Sequence, residues 1–378
     1  MDYPLTDRQK EALEIAAIYP DRQEAADVFG TSLRNFQRTL TVARRKNVIV
    51  PDGSRKFLKP NYKMGKVTTH VQYKDDDGQI KNEWIRQHPD YKGWEKAIAE
   101  LCDKLPVAKP VKAPLMGNKE LLTLYTITDF HMGMLSFAPE TGANWDTDIA
   151  TRVLTNAIAE MIERSPDSEV GVFAQLGDFL HFDSLDSITP SSGHLLDSDT
   201  RYDRLVRCAI HSICNAIDML LKKHKKVIVI MAEGNHDMAG SVWLRCSMER
   251  IYQDNPRVTI DDTSFPFYAY AHGDIMLAWH HGHKVKNKSL PALFSSEPRY
   301  RQMYGNAIYT YIHTGHTHQK EKDASEYGGA IVERHQTLTA RDSYATRGGW
   351  VSQRAANAIT YHSKKGEYSR VTVYPDMA

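Results

Sequence analysis

Cysteine is scarce in this chain: four among 378 residues (Cys102, Cys208, Cys214, Cys246), scattered and without a C-x-x-C pair. That excludes a disulfide framework and a thiolate metal site, and it suits a reducing compartment. Charge of either sign is not in surplus, 48 basic against 47 acidic residues, so the global balance of +1 names no partner. No apolar run approaches the roughly 20 residues that span a bilayer, so no membrane segment is expected. The opening "MDYPLTDRQKEALEIAAIYP" has no basic region followed by an apolar core, so no signal peptide is expected. Long repeats and low-complexity tracts are missing too. What remains is the composition of a soluble globular protein, 41% hydrophobic and 25% charged, and a cytoplasmic setting is the expectation.

The sequence divides into three segments. Residues 1–66 read as short helices followed by a hairpin. Residues 67–118 form a mixed connecting region with the acidic turn "KDDDGQ", Trp84, Trp94 and the Pro- and Lys-rich linker "KLPVAKPVKAPLMGNK". Residues 119–378 alternate short apolar runs ("LLTLYTIT", "VGVFAQLG", "KVIVIMAEG", "IMLAWHHG", "AIYTYIHTG") with longer segments of helical spacing, Thr147 to Arg164 and Tyr202 to His224. Strands alternating with helices predict an α/β domain whose sheet is covered on its faces.

Polar residues of recurring type follow those runs. They are Asp129-Phe130-His131, Gly177-Asp178, Gly234-Asn235-His236-Asp237, His280-His281-Gly282-His283 and Gly315-His316-Thr317-His318. In an extended backbone residues i and i+2 share a side, so the two histidines of "GHTH" are expected to face one point. Any one of these motifs alone is more often a turn or a surface pair. Five together, each at a strand end where open α/β sheets gather ligands, predict a metal centre of imidazole, carboxylate and amide groups.

The order D-x-H, G-D, G-N-H-D, H-G, G-H-x-H resembles the calcineurin-like metallophosphoesterase superfamily over about residues 121–320. The resemblance implies a β-sandwich flanked by helices, with two metal ions where the strands end. It implies Asp129, His131 and His318 on one ion, Asn235, His281 and His316 on the other, and Asp178 bridging both. Two metals about 3.5–4 Å apart clamp the attacking and leaving oxygens of an in-line displacement and activate water near neutral pH. His236 is then the expected general acid, and Asp237 either holds its imidazole as a cation or is a helix-capping or turn residue. "WHHGH" leaves His280 and His281 as alternatives, and the family's ligand-before-glycine habit selects His281. His181 in "GDFLHFD" is a candidate for substrate contact. Nitrogen and oxygen donors suit Mn, Fe or Zn, with Mn2+ expected by analogy with the nuclease branch. "GDFLHFD" and "GNHD" lack the arginine of the protein-phosphatase pattern, so the phosphodiesterase and nuclease branches fit better.

The first segment bears on the substrate. Ala26, Gly30 and Phe36 occupy the small, turn and apolar positions of a helix-turn-helix, with Ser32 able to cap the second helix. This resembles the helix-turn-helix of response regulators and sigma factors, and two short strands around Pro51-Asp52-Gly53 would complete a winged form. Residues 33–66 hold ten bases and one acid, a local balance of +9. Such a stripe is an electrostatic footprint for phosphate backbone. The candidate DNA contacts are Arg34, Asn35, Gln37, Arg38, Arg44, Arg45 and Lys46; packing against a protein partner is the competing use of such a unit. Arg341, Arg347 and Arg354 are candidates for a substrate groove or for plain surface. The expectation is a two-metal phosphodiester hydrolase, a DNA nuclease brought to its substrate by the N-terminal module. The alternatives are a phosphatase or phosphodiesterase for small molecules or nucleotides, and a DNA-binding regulator whose phosphoesterase domain is inactive. The pairing of the two modules is similar to proteins of bacteriophage genomes, so an infected host's cytoplasm fits. Oligomeric state is not legible.

Overall fold

The computed structural model describes residues 7–18, 21–46, 62–74, 80–89, 107–190, 193–318 and 321–375. They fall into two compact units, residues 1–97 and 98–378.

The first unit holds helices α1 (Asp7–Ile18), α2 (Arg22–Val28) and α3 (Leu33–Lys46) and a hairpin of β1 (Tyr62–Lys74) and β2 (Ile80–Pro89). Asp21 caps α2 by accepting from the N–H groups of Gln23 and Glu24, both at 2.9 Å. The α2–α3 turn passes through Gly30 at φ +71°, a conformation that costs glycine least. Ser32 then accepts from Asn35 N–H at 3.4 Å at the start of α3. Ala12, Ala25, Ala26, Phe29 and Phe36 close a small core under the three helices. β1 runs through residue 66, where the sequence reading ends its first segment. The strands expected around Pro51-Asp52-Gly53 lie outside the described residues, as does the turn 75–79.

The second unit is a sandwich of two mixed sheets. One has six strands in the order β13-β12-β3-β4-β5-β6: β3 (Asn118–Ile127), β4 (Ser168–Gln175), β5 (Lys226–Met231), β6 (Val258–Ile260), β12 (Ala356–His362) and β13 (Gly366–Val373). Strands β3 to β6 run parallel, and β12 is antiparallel to both its neighbours. The other sheet has five strands in the order β10-β11-β9-β8-β7: β7 (Tyr268–His272), β8 (Ile275–Trp279), β9 (Tyr309–Thr314), β10 (Glu321–Tyr327) and β11 (Ala330–Arg334).

Side-chain alternation builds the layers. Leu122 and Leu124 of β3, Val172 and Ala174 of β4 and Ile228 and Ile230 of β5 meet Leu277, Trp279 and Tyr311 between the sheets. The opposite face of the six-stranded sheet, with Tyr125, Phe173 and Val229, packs under three helices that follow short α4 (Ala138–Thr141). These are α5 (Thr147–Arg164), α6 (Tyr202–Lys223) and α7 (Met238–Tyr252). The two long helices expected from periodicity are α5 and α6, the second ending one residue earlier than expected. The outer face of the five-stranded sheet carries α8 (Leu290–Ser296) and α9 (Arg301–Asn306). A last short helix, α10 (Ser343–Arg347), precedes β12. The architecture is α/β, two mixed sheets flanked by helices. The Pro- and Lys-rich stretch is fastened where it is described: Ala108 N–H donates to Ile251 O at 2.7 Å, and Arg257 donates to Val111 O at 2.6 Å.

Candidate metal centre

The candidate ligands leave the ends of β3, β4, β5, β8 and β9. Asp129, His131 and His318 offer donor atoms within 4.8 Å of one another, and so do Asp129, Asp178, His281 and His316. Asn235 Oδ1 lies 3.3 Å from His281 Nε2, which itself lies 3.1 Å from Asp178 Oδ2. The five chain segments thus meet at one place, and each histidine of "GHTH" belongs to a different group.

The way they meet differs from the expectation of extended backbone. Asp129 (φ 48°), His131 (47°), Asp178 (52°), His316 (77°) and His318 (56°) are all left-handed, and they are the only such non-glycine residues among those described. Left-handed geometry costs an L-residue roughly 1–2 kcal/mol, and strain of this kind concentrates at functional sites. The i, i+2 pairs are therefore aimed by tight turns after the strands, not by strand pleat.

Hydrogen bonds fix the donor atoms. Asp129 Oδ2 accepts from Thr128 Oγ1 at 2.5 Å and from His316 N–H at 2.8 Å. Asp129 Oδ1 is buried and accepts no hydrogen bond; His318 Nε2 lies 3.4 Å away. A buried carboxylate oxygen left without a donor is costly in a closed fold and is what a cation would satisfy. His281 Nδ1 donates to Leu176 O at 2.8 Å, which directs Nε2 at Asp178 and Asn235. His280 turns away: its Nδ1 accepts from Gly282 N–H at 2.9 Å and its ring stacks on Phe267 at 4.6 Å. Of the two alternatives, His281 faces the cluster.

His131 sits between two imidazoles. Its Nε2 is 3.2 Å from His318 Nε2, and its Nδ1 is 3.3 Å from His181 Nδ1. The buried His181 ring also hydrogen-bonds the Asp197 backbone. A proton on His131 Nδ1 shared with His181 leaves His131 Nε2 as the donor toward a cation. His181 thereby stands behind a candidate ligand, a relation that no spacing in the sequence announces.

The expected pairing of His236 with Asp237 is corrected. His236 Nδ1 donates to the carbonyl of His181 at 2.8 Å. The buried Asp237 carboxylate instead accepts four backbone N–H groups: Asp178 (3.1 Å), Phe179 (2.7 Å), Leu180 (3.1 Å) and Gly234 (2.9 Å). It clips the turn after β4 to the turn after β5, and its side chain caps no helix. Capping of α7 falls to Asp183, whose Oδ2 accepts from Ala239 N–H at 2.8 Å.

Electrostatics in the cluster are strongly coupled. Burial works against both carboxylates, yet His318 and then His281 hold Asp129 below the usual carboxylate range. Asp178 is held well below by His281, His236 and His131, histidines from both groups. Burial lowers His281, but Asp178 overrides it and raises the imidazole to about 10. The donor set of imidazole nitrogens, carboxylates and one amide oxygen, with no thiolate, fits a divalent cation such as Mn, Fe or Zn.

The remaining candidates lie elsewhere. Arg34, Asn35, Gln37 and Arg38 are exposed on α3, around the buried Phe36, and Arg44, Arg45 and Lys46 end that helix. Arg347 is exposed and lies 3.7 Å from Glu140. No helix among the described residues is long and apolar enough to cross a membrane.

No protein-family model matches the chain, and no curated protein matches it. Solved structures similar to it include a dimetal phosphatase from Danio rerio (10% identity, 68% of this chain and 99% of that one, TM-score 0.33). A predicted phosphoesterase from Streptococcus pneumoniae is similar at 9% identity, over 67% of this chain and 98% of that one, TM-score 0.25. A 5'-nucleotidase from Staphylococcus aureus, described as putative, is similar at 11% identity, over 68% and 55%, TM-score 0.30. These likenesses are distant, and the chemistry of the site follows from its own side chains.

Proposed function

We propose that this chain is a two-metal-dependent phosphodiester hydrolase that acts on DNA. The observation that carries the reading is the union of two ligand groups in one buried centre, Asp129/His131/His318 and Asp129/Asp178/His281/His316. In this reading Asp129, His131 and His318 hold one ion, and Asn235, His281 and His316 hold the other. Asp129 reaches both groups, with Oδ2 accepting from Thr128 and His316 N–H; Asp178 Oδ1 likewise accepts from His236 N–H, so the choice of bridge rests on which histidines each carboxylate feels. Asp178, felt by His281 and His131 alike, is the bridging carboxylate. When bound, such a pair of ions polarises the phosphoryl group and supplies a hydroxide nucleophile near neutral pH.

The chain's own groups do the rest. His236 keeps Nε2 uncommitted because Nδ1 is spent on His181 O, its ring lies 4.8 Å from that of His131, and it serves as general acid to the leaving oxygen. His181 fixes both His131 and His236. The exposed basic face of α3, with Arg34 and Arg38, supports DNA as the substrate through phosphate contacts, and the α2–turn–α3 geometry supports a helix-turn-helix use of that unit.

The test is a Mn2+-supplemented digestion of single-stranded DNA, double-stranded DNA and a chromogenic phosphodiester, with Asp178→Asn as the control. DNA cleavage that falls to the uncatalysed level in Asp178→Asn is expected. Hydrolysis of the chromogenic diester alone would move the substrate to small molecules. Arg34→Ala with Arg38→Ala should weaken DNA binding and reduce its salt slope by up to about 2, while sparing the chromogenic diester. An unchanged slope would dismiss the α3 assignment.

A further inference from the structure

A cavity of about 460 Å³ is lined by α4, α5, Arg354 and Tyr374 and by none of the candidate metal ligands. Its size falls within the range of small-molecule sites, roughly 300–1,000 Å³. Part of its wall is apolar, from Ile149, Val153 and Ala157 of α5, and Tyr374 adds a half-exposed ring. The polar part is cationic. Arg354 donates through Nε and Nη2 to Leu338 O at 2.8 and 2.5 Å, with its Cζ 5.2 Å from the Trp145 ring. Neither contact neutralises the guanidinium, and among the described residues Nη1 donates to no other group. Burial alone depresses its basicity, to about 10.

Arg152 of α5 lines the same cavity. A third guanidinium, that of Arg341, stands behind the wall: a Cβ on Gly142 would meet its Nη2 at 3.1 Å. Among the described residues none of these three arginines has a carboxylate within ion-pair distance. The acid in the lining, Glu160, is bound to Arg164 at 2.6 Å, and nearby Glu140 faces Arg347. Arg354 and Arg341 are partly buried and Arg152 is exposed, so this cavity presents positive charge that no carboxylate among the described residues answers.

We infer that this cavity binds a small organic phosphate, its anionic group between Arg152 and Arg354 and its flat or apolar body against Ile149, Val153 and Tyr374. Guanidinium forks match phosphate oxygens in pairs. Asn144, whose Oδ1 accepts from Ala138 N–H at 2.7 Å, also lines the cavity and keeps its N–H donors free of that bond. This site is separate from the metal centre and does not depend on the phosphodiesterase reading.

The experiment is isothermal titration of the full chain with a nucleoside 5'-monophosphate, inorganic phosphate and benzoate, each with and without a chelator. The nucleotide should bind in the presence of chelator and at least tenfold more tightly than inorganic phosphate or benzoate. Arg152→Ala, a change on the exposed side of α5, should weaken nucleotide binding at least tenfold, with partial recovery in Arg152→Lys. Asp178→Asn should bind as the natural chain does. Absence of nucleotide binding under chelator, equal affinity in Arg152→Ala, or loss in Asp178→Asn would each overturn the proposal, the last by assigning the nucleotide to the metal centre. Benzoate binding as tightly as the nucleotide would overturn the phosphate assignment.

Discussion

The two sheets of the sandwich bring unlike chemistry to the same place. The six-stranded sheet contributes both carboxylates, Asp129 and Asp178, along with Asn235 and His236; the five-stranded sheet contributes imidazoles alone, His281, His316 and His318. His131 and His236 are the imidazoles that the six-stranded sheet adds to its carboxylates. Neither half would work by itself. Two buried carboxylates without the opposing histidines repel each other, and three imidazoles without the carboxylates have little charge to offer a cation. The centre therefore exists only while the sheets are closed on each other, and inter-sheet packing becomes a condition for the chemistry.

That contrast can be broken from the imidazole side. His281→Ala should lower metal affinity beyond the roughly 10–100-fold that loss of a supporting residue costs, read by metal titration. His280→Ala should leave metal affinity and hydrolysis within a few fold, because that ring stacks on Phe267 outside the cluster. Equal losses in the two variants would undo the division between them. A subtler break is Gly315→Ala. The added Cβ would stand 1.8 Å from Thr128 Oγ1 and 2.6 Å from Asp129 Oδ2, pushing the five-stranded sheet's turn off the other sheet's carboxylate. Metal affinity should fall by about tenfold or more, with the far-ultraviolet dichroism unchanged.

Away from the ligands, the sheets are tied by Arg370 of β13, which grips Glu333 of β11 through two bonds of 2.6 and 2.8 Å. Removing one member of a fully buried pair costs about 3–5 kcal/mol; Glu333 is buried and Arg370 only partly so, so Arg370→Ala should destabilise the unit by less than that in urea. Burial opposes ionisation of Glu333, but His335 and Arg370 hold its carboxyl at about 2. A carboxyl depressed in the folded chain contributes stability above its unfolded value near 4.5 and loses it as pH falls toward 2. The natural chain should lose stability across that window, and Arg370→Ala should lose less. The smallest expected effect is Asp183→Ala, which removes the cap of α7 and should cost about 1 kcal/mol, measurable as a lowered unfolding midpoint.

Much of the architecture was legible because it rests on period and punctuation. The apolar runs that end in Asp129, Asp178, Asn235, His281 and His316 are strands, and the α5 and α6 periodicities are helices. The gathering of those residues was legible for the same reason: each follows a buried run. Their aim was not. Left-handed backbone is mostly a glycine property, with asparagine, aspartate and histidine only occasional occupants, so residue type alone does not mark Asp129 or His316 as such a position. Partners far along the chain were equally hidden, as with His181 behind His131 or Asp237 spread over two turns. The pairing of Asp237 with His236 failed because adjacency in sequence says little about which atoms a buried carboxylate will find. In the N-terminal unit, Ala26, Gly30 and Phe36 were readable because small, turn and apolar positions carry their own signals.

The five left-handed ligand positions carry a consequence for how this protein can change. Each is a place where folding and chemistry want different residues, since glycine would relax the backbone that aspartate or histidine strains. Replacing His316 or His318 by glycine should therefore yield a chain that unfolds at a higher temperature while binding metal poorly. Selection for robustness alone would erode the centre one turn at a time, so a change that raises stability at any of these positions is expected to cost metal binding.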